Sequence, residues 1–390
     1  MTTLPRLALA VVLSAFSLIQ IETCIEKGGQ PLRQRDAQSE RNSGNGAEHF
    51  VEDGFGATSF LARYNEPLNL DSGSAVIRDS DIYTHYFPGP DYVLTMSYAL
   101  FGTGESVFRW TRLVPLAQVL GSIILLLLLM ERRLWPGHQW TTLFMAALVL
   151  FPPVMRLWSI SLHGHSYSSA CIMLGLCLGL LGGEGPHRRW KLLGAFALGF
   201  LSNYMLLTAA FVVCAAPLVG SLLVPGRRGK DHGFALLLTV AVGVGLVAAF
   251  GVHYLQIVHQ FGWLETRLDQ FGVLSIRAGA AVPGASPTEL FTQYQEEVMR
   301  MFGLTPTVML LIGLWGAAAS PGPARARLAL AAGVAVAFVS SWTWILLMRQ
   351  HSAAHGHVNP RIFLLPYICC LASAGMLATA RATSAGDAST

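Results

Sequence analysis

Apolar residues are gathered into ten stretches that approach or reach the thickness of a lipid bilayer. A membrane-spanning helix needs about 20 predominantly apolar residues, so this pattern predicts an all-α integral membrane protein with about ten transmembrane helices. The fifth and sixth stretches almost touch and could instead form one buried hairpin with its tip at 202–204. The stretches cover residues 7–23, 113–130, 140–157, 166–182, 191–204, 206–224, 233–255, 304–320, 327–348 and 361–380.

The composition agrees with a chain that is solvated largely by lipid. Hydrophobic residues make up 53% of the 390 positions and charged residues only 12%, whereas soluble domains carry about 25% charged residues. These charges are too few to cover a water-soluble surface, so we treat 1–390 as a single polytopic membrane domain. The first apolar stretch has no small-residue cleavage site before Cys24, which favours a retained helix over a signal peptide.

Arginine and lysine are concentrated in the short links on one side of the predicted bundle. Short basic links mark the cytoplasmic face of a membrane protein, so both termini are predicted to be cytoplasmic. Two long polar segments then lie on the outer face, a first outer loop at 24–112 and a second outer loop at 256–303. The basic links are 131–133, 187–191, 227–230 and 325–327, together with Arg6 and Arg381.

The first outer loop carries most of the candidate chemistry. Residues 26–47 are polar and loop-like, whereas 48–64 mix apolar and polar positions as an interfacial helix would. Glu52 and Asp53 are adjacent, so on a helix only one of the two carboxylates can face a given ligand. The segment 83–102 is predicted to be a proline-broken turn followed by a short amphipathic helix that ends at Gly102.

The order of these features resembles the GT-C membrane glycosyltransferases, in the branch of the protein mannosyltransferases and aminoarabinose transferases (glycosyltransferase family 39 type). The resemblance is best over residues 5–130. The family's Asp-Glu-Gly-x-Tyr corresponds to Glu52-Asp53-Gly54-Phe55 in this chain, and its His-Pro-Pro corresponds to His85-Tyr86-Phe87-Pro88-Gly89-Pro90. A Tyr- and Leu-rich helix and an Arg-Leu entry into the next membrane helix follow in the family's order.

The resemblance implies GT-C architecture and an inverting sugar transfer from a polyprenyl-phosphate donor to a hydroxyl of a glycan, lipid or protein. The reaction would take place at the outer face of a bacterial inner (plasma) membrane, with the bilayer as partner and no role for nucleic acid. An acidic residue of the first outer loop would be the general base, which must lie within hydrogen-bond reach of the acceptor proton. The position within the family's motif favours Glu52 as the base, whereas the residue type favours Asp53. We prefer Asp53.

The same resemblance implies a phosphate clamp and a set of substrate-binding histidines. Arg361 begins the last predicted helix, where backbone N–H groups already favour an anion, and Arg63 or Arg112 would complete the clamp. Arg361 could otherwise be a snorkelling anchor. The predicted substrate-binding histidines lie on the outer face by topology and could equally be interfacial residues at loop ends: His85, His163, His165, His351, His355 and His357.

Metal binding is a further hypothesis, although the branch that the chain resembles generally works without a catalytic metal. Asp79 and Asp81 have the spacing of a carboxylate pair that can hold a metal-bound sugar phosphate. His351 and His355 have the i, i+4 spacing that places two zinc ligands on one helix face. We predict no required cofactor, with these two places as the alternatives.

Two other classes of protein would also fit a ten-helix chain. A transporter of a lipid-linked or small polar substrate would carry polar groups at mid-membrane, and the predicted helix centres are nearly free of charge. A non-catalytic scaffold with the GT-C fold would keep the helices and lose the base. Glycines and Pro283 precede a predicted amphipathic helix at 289–301, an arrangement that suits a lid; an ordered interfacial loop is the alternative.

Overall fold

A computed structural model describes residues 3–27, 37–64, 81–84, 87–102, 109–134, 136–162, 164–181, 186–201, 230–277 and 286–303, with isolated positions between 307 and 353. Regular structure in these ranges is almost entirely helical. The helices are α1 (Thr3–Lys27), α2 (Ala37–Glu52), α3 (Gly89–Phe101), α4 (Leu113–Leu134), α5 (Gln139–Leu150), α6 (Pro153–Trp158), α7 (Gly164–Leu181), α8 (Arg188–Leu201), α9 (Lys230–Phe261), α10 (Trp263–Arg277) and α11 (Pro287–Phe302).

Three helices in the described part of the chain are long and apolar enough to cross a membrane. These spans are Leu4–Glu26, Arg109–Arg132 and Leu236–Phe261, and they fall on α1, α4 and α9. The helices α5, α7 and α8 coincide with further apolar stretches. The stretches at 206–224 and 361–380 lie outside the described residues, and only isolated positions represent those at 304–320 and 327–348. The predicted number of ten helices therefore stays a prediction.

The hydrophobic pattern predicted one continuous helix at 140–157, but the structure contains two helices there. The helix α5 ends at Leu150, and α6 begins at Pro153. Proline has no N–H to donate and disfavours a helical conformation in the residue before it, so the Pro152–Pro153 pair ends one helix and begins another.

The first outer loop also differs from the prediction. The segment at 26–47, predicted to be loop, contains most of α2, which begins at Ala37. The segment at 48–64, predicted to be an interfacial helix, is helical only to Glu52 and then forms a 3₁₀ turn at Phe55–Thr58. The chain after this turn is extended, and Arg63 forms an antiparallel bridge with Ile82. The predicted short helix that follows the proline turn is confirmed as α3.

The main apolar core lies between α4, α5, α6, α7 and α11, and Phe16 of α1 also packs there. A second contact surface joins α8 to α9 through glycines. A methyl group on Gly199 would lie 2.2 Å from the backbone oxygen of Val242, and one on Gly245 would lie 2.1 Å from that of Phe196. Only glycine permits this separation, and small residues are the usual means by which membrane helices approach closely.

The second outer loop is mostly helical in its described part. The helix α9 continues to Phe261, and Gly262 (φ 90°) turns the chain into α10. The helix α11 confirms the predicted helix at 289–301. It starts with a capping box, in which the side chains and backbone N–H groups of Ser286 and Glu289 bond reciprocally.

The helix α10 has its polar side inward and its apolar side outward. Thr266 and Asp269 are buried, whereas the exposed side carries four large apolar side chains together with the charged residues Glu265 and Arg267. The exposed apolar residues are Trp263, Leu264, Leu268 and Phe271. A helix that faced water would have the reverse arrangement, so this one is typical of a helix whose outer side lies against lipid at the end of a membrane span.

Candidate active site

The carboxylate of Asp53 lies just beyond the end of α2, with its side chain 38% exposed. Gly54 (φ 80°) turns the chain away from the helix. One carboxylate oxygen of Asp53, Oδ2, lies 3.2 Å from Nδ1 of His49 and 3.3 Å from an Nη of Arg63. Among the described residues both contacts reach Oδ2, and none reaches Oδ1.

The guanidinium of Arg63 joins Asp53 to Asp81. Its Nε donates to Asp81 Oδ2 at 2.5 Å, and one Nη reaches Asp53. The two acids, Asp81 first, raise the pKa of Arg63. Two backbone hydrogen bonds hold this arrangement. The N–H of Tyr64 donates to the backbone carbonyl oxygen of Asp81, and the N–H of Tyr83 donates to that of Ala62, each at 2.7 Å.

Two successive residues between the 3₁₀ turn and Arg63 adopt left-handed backbone conformations. Ser59 has φ 53° and Phe60 has φ 66°, and such conformations persist only where surrounding contacts hold them. The Ser59 hydroxyl lies 2.8 Å from both His259 Nδ1 and Gln260 Oε1 at the end of α9, while the Tyr92 hydroxyl donates to the Phe60 oxygen at 2.6 Å. These contacts fix the turn that leads the chain into Arg63.

Aromatic rings pack beneath this turn and join it to α2 and α3. Phe55 stacks on Phe50 of α2 at 4.7 Å between centroids and on Phe60 at 5.8 Å. Tyr92 of α3 meets Phe55 edge to face at 5.6 Å and Phe87 at the same separation. Such ring geometries contribute stability beyond that of apolar burial, so the aromatic cluster fixes the turn at 55–60 against α2 and α3.

Glu52 is exposed as the last residue of α2. The structure brings Asp53, but not Glu52, into contact with His49 and Arg63. An adjacent pair on a helix diverges in direction, which explains why only one of the two acids is placed for this contact.

Arg112, predicted to bind phosphate, is completely buried in an ion pair with Glu40. Its two Nη atoms donate to the two Glu40 carboxylate oxygens at 2.7 and 2.9 Å, and one also donates to the Ile160 oxygen at 2.9 Å. The N–H of Leu162 completes the group by donating to Glu40. A guanidinium held in this way joins α2 to the start of α4 and to the segment between α6 and α7. It is not available to a ligand, so we leave Arg112 out of the proposed clamp.

The other predicted site residues are mostly outside the described part of the chain. These are His85, His163, His351, His355, His357, Arg361 and Asp79. The backbone of His165 lies in the first turn of α7. Among the described residues, no group of three or more His, Cys, Asp or Glu side chains could hold a metal ion, and the Asp81 carboxylate is engaged by Arg63.

Sequence reasoning missed two groups of residues around the site. His49 could have been found, because it precedes Asp53 by four positions and so lies on the same helix face. Ser59, Tyr92 and Thr84 carry no local signal, since their roles depend on contacts with α9 and α10 more than 150 residues away.

Asp91, near the start of α3, is a buried carboxylic acid beside Ser43 of α2. Burial raises its pKa to about 8, against a smaller lowering by the Ser43 hydroxyl. Because its pKa is raised above the unfolded value, the native state holds the proton more tightly. The associated stability is complete below the unfolded pKa near 3.8 and is lost as pH rises through about 8.

We therefore expect the thermal unfolding midpoint of the detergent-solubilised protein to fall between pH 6 and pH 9. The isosteric Asp91→Asn variant should show a flatter profile over the same range and exceed the wild type at pH 9. The measurement is a series of thermal melts at fixed ionic strength. Equal slopes in the two proteins would show that Asp91 is not the group responsible.

Solved membrane proteins share this arrangement of helices at low sequence identity. ArnT from Cupriavidus metallidurans, bound to undecaprenyl phosphate, is similar with a TM-score of 0.57 and 17% identity, over 93% of this chain and 59% of ArnT. The archaeal oligosaccharyltransferase AglB from Archaeoglobus fulgidus, in complex with an inhibitory peptide and a dolichol-phosphate, gives 0.53 and 11% over 96% and 50%. The apo form of the Archaeoglobus fulgidus oligosaccharyltransferase gives 0.52 and 12% over 93% and 50%.

The chain therefore shares the fold of ArnT and of the archaeal oligosaccharyltransferase, and its long apolar helices make it an integral membrane protein. At these identities the similarity establishes the fold alone. The chain spans 59% of the length of ArnT and 50% of the length of the oligosaccharyltransferase. No model of a known protein family matches the sequence, and no curated protein sequence is similar to it.

Proposed function

We propose that this protein is a glycosyltransferase that moves a sugar from a polyprenyl-phosphate carrier to a hydroxyl acceptor at the outer membrane face. The observation that carries the proposal is the position of Asp53 in the first loop of a GT-C fold. Its carboxylate is accessible, held by His49 and Arg63, and open at Oδ1 among the described residues. An accessible, oriented carboxylate is what proton abstraction from an acceptor hydroxyl requires.

The reaction is a single displacement with inversion at the sugar's anomeric carbon. The acceptor oxygen forms the new bond to this carbon while the bond to the phosphate oxygen breaks. The leaving polyprenyl phosphate takes the electron pair, and Asp53 Oδ1 takes the acceptor proton. His49 and Arg63 both contact Oδ2, so they orient the carboxylate without occupying the oxygen that acts as base.

Arg63 is proposed to serve both the base and the donor. Its Nε and one Nη bond to Asp81 and Asp53, which leaves the other Nη without a hydrogen-bond partner in the described part of the chain. A guanidinium presents its donors in a fixed planar fork that matches phosphate oxygens, so this Nη is suited to the charge on the leaving phosphate. Arg361 and the outer-face histidines stay predicted partners in the same role.

The proposed topology follows the basic links, with both termini cytoplasmic and the site outside a bacterial inner membrane. Two features support an outer site beside lipid. The helix α9 carries its membrane span up to Phe261, close to the Ser59 contact. The helix α10, which follows directly, turns apolar side chains outward. A lipid-linked donor could therefore reach the site from the bilayer.

The donor class can be tested with the purified full chain in liposomes. We expect release of undecaprenyl phosphate from at least one of a panel of undecaprenyl-phosphate hexoses and pentoses when cell-envelope extract supplies the acceptor. Mass spectrometry of the lipid fraction measures the release, and the Asp53→Asn variant is the matched control. Turnover of a nucleotide sugar in the absence of any lipid carrier would refute the proposed donor. Absence of release from every lipid in the panel would favour a non-catalytic scaffold.

A further inference from the structure

Thr84 contacts three polar side chains, His253 near the end of α9 and Asp269 and Gln270 of α10. It is 3% exposed, and its hydroxyl donates to Asp269 Oδ2 at 2.9 Å. Its backbone oxygen lies 2.9 Å from Nε2 of both Gln270 and His253. A carbonyl oxygen can only accept, so His253 donates through Nε2. Three side chains from α9 and α10 thus hold a single residue of the first outer loop.

The segment that ends at Thr84 also positions Arg63. Residues 81–84 pair with 62–64 through the bridge between Arg63 and Ile82 and through two backbone hydrogen bonds. Asp81, three residues before Thr84, bonds directly to the Arg63 guanidinium. A continuous series of described contacts therefore leads from Asp269 through Thr84 and Asp81 to Arg63 and Asp53.

Asp269 is an unusual residue to find on the inner side of α10. It is 1% exposed, and its Oδ1 has no hydrogen-bond partner in the described part of the chain. The other oxygen, Oδ2, bonds only to Thr84 and Gln270 there. Burial of a carboxylate with an unsatisfied oxygen is unfavourable, so packing alone gives no reason for an aspartate at this position. Its contact with Thr84 gives one.

We propose that Asp269 is a positioning residue, by which the second outer loop sets the place of Arg63 and so of the base. The apolar outer side of α10 would hold this helix against the membrane, while Asp269 on its inner side holds Thr84. The paired segments 62–64 and 81–84 then keep a fixed relation to the lipid surface from which a carrier-linked donor would arrive. The effect of this role on the rate of sugar transfer rests on the proposed function. Its effect on the backbone pairing of the two segments does not.

The structural consequence is tested by hydrogen–deuterium exchange of the full chain in nanodiscs. Thr84→Val keeps the shape and removes the hydroxyl, whereas Thr84→Ser keeps the hydroxyl and removes a methyl group. We expect exchange in peptides that contain Tyr64 and Tyr83 to quicken about 10-fold or more in the Val variant, since their N–H groups lose a held partner strand. The Ser variant should exchange within about threefold of the wild type.

Thr142→Val is the matched control, because Thr142 is a buried threonine that donates to a carboxylate, Glu131, at 2.8 Å in another part of the bundle. It should leave exchange at Tyr64 and Tyr83 unchanged. Wild-type exchange at these residues in Thr84→Val would overturn the proposal. So would equal acceleration in the Val and Ser variants, since packing and not the hydroxyl would then be responsible.

The kinetic consequence is measured as release of undecaprenyl phosphate per folded molecule. We expect kcat to fall about 10- to 100-fold in Thr84→Val and Asp269→Leu, which both remove the hydrogen bond between Thr84 and Asp269; a small misplacement of catalytic groups produces an effect of this size. KM for the donor should change less, and Thr84→Ser should restore kcat. A proportional loss of folded protein with unchanged kcat would refute a positioning role. If the exchange result holds while the wild type transfers no sugar, the proposed function fails and the coupling stands.

Discussion

Asp53→Asn is expected to slow sugar transfer by about 100-fold or more, the contribution that a positioned general base makes, while donor affinity stays nearly unchanged. Asparagine keeps the size and polarity of the side chain and removes the proton acceptor. Glu52→Gln, one residue away, should stay within about threefold of the wild type, because Glu52 is exposed and does not share the contacts to His49 and Arg63. Single-turnover release of undecaprenyl phosphate from preloaded donor separates the chemical step from binding.

The two substitutions form a matched pair, since each replaces an accessible acid by its amide at neighbouring positions. Both variants should purify like the wild type, because the Asp53 side chain is 38% exposed and is not part of the apolar core. An equal loss in both variants would mean that local charge, and not a base at Asp53, is responsible. If Asp81→Asn abolished transfer and Asp53→Asn did not, the base assignment would be wrong and metal dependence at Asp79 and Asp81 would have to be tested.

Segments whose structure depends on neighbours in the sequence could be predicted. The helix α3 follows from a proline-containing turn, a short apolar pattern and a terminal glycine. The helix α11 follows from the periodic apolar positions after Ser286 and from Glu289 three residues later, which form its capping box. Each of these signals lies within a few residues of the helix that it starts or ends.

The helix α2 could not be predicted, because its sequence favours loop. Its middle residues, Asn42 to Gly46, are poor helix formers. Tertiary contacts overcome this preference: Ala47 packs with α3, Phe50 packs in the aromatic cluster, and Glu40 bonds to Arg112. The partners of Glu40 lie 72 and 122 positions away in sequence, so nothing local announces them.

The site was predictable in part for the same reason. Asp53 stands out because an acidic pair before a glycine opens a long outer loop, and Arg63 is the next cation along the chain. The contact between Arg63 and Asp81 requires strand pairing across residues 64 to 81, which no short motif encodes. The sequence therefore indicated the acidic pair and the resemblance of the chain to a family. Only the fold shows which residues orient the Asp53 carboxylate.

The buried ion pair between Glu40 and Arg112 should be the most stability-sensitive contact outside the apolar core. Arg112→Met is expected to lower the free energy of unfolding by about 3–5 kcal/mol, because it leaves the Glu40 carboxylate charged, buried and without its bidentate partner. The two residues are 3% and 0% exposed, so water cannot replace the lost donors. Reversible unfolding in mixed detergent micelles, followed by circular dichroism, measures the change.

The double variant Glu40→Leu with Arg112→Met should recover a large part of this loss, since apolar replacements remove both charges and their desolvation cost together. Arg300→Met supplies a milder comparison: Arg300 pairs with Glu297 within α11, and although Glu297 is largely buried, the Arg300 side chain is 51% exposed. Water can reach this pair from the Arg300 side, so we expect a smaller loss than in Arg112→Met. If Arg112→Met proved as mild as Arg300→Met while donor affinity fell, Arg112 would be accessible in the working protein. The prediction that it binds the carrier phosphate would then replace its assignment as an internal contact, and Glu40 would have to be held by its other contacts, such as the N–H of Leu162.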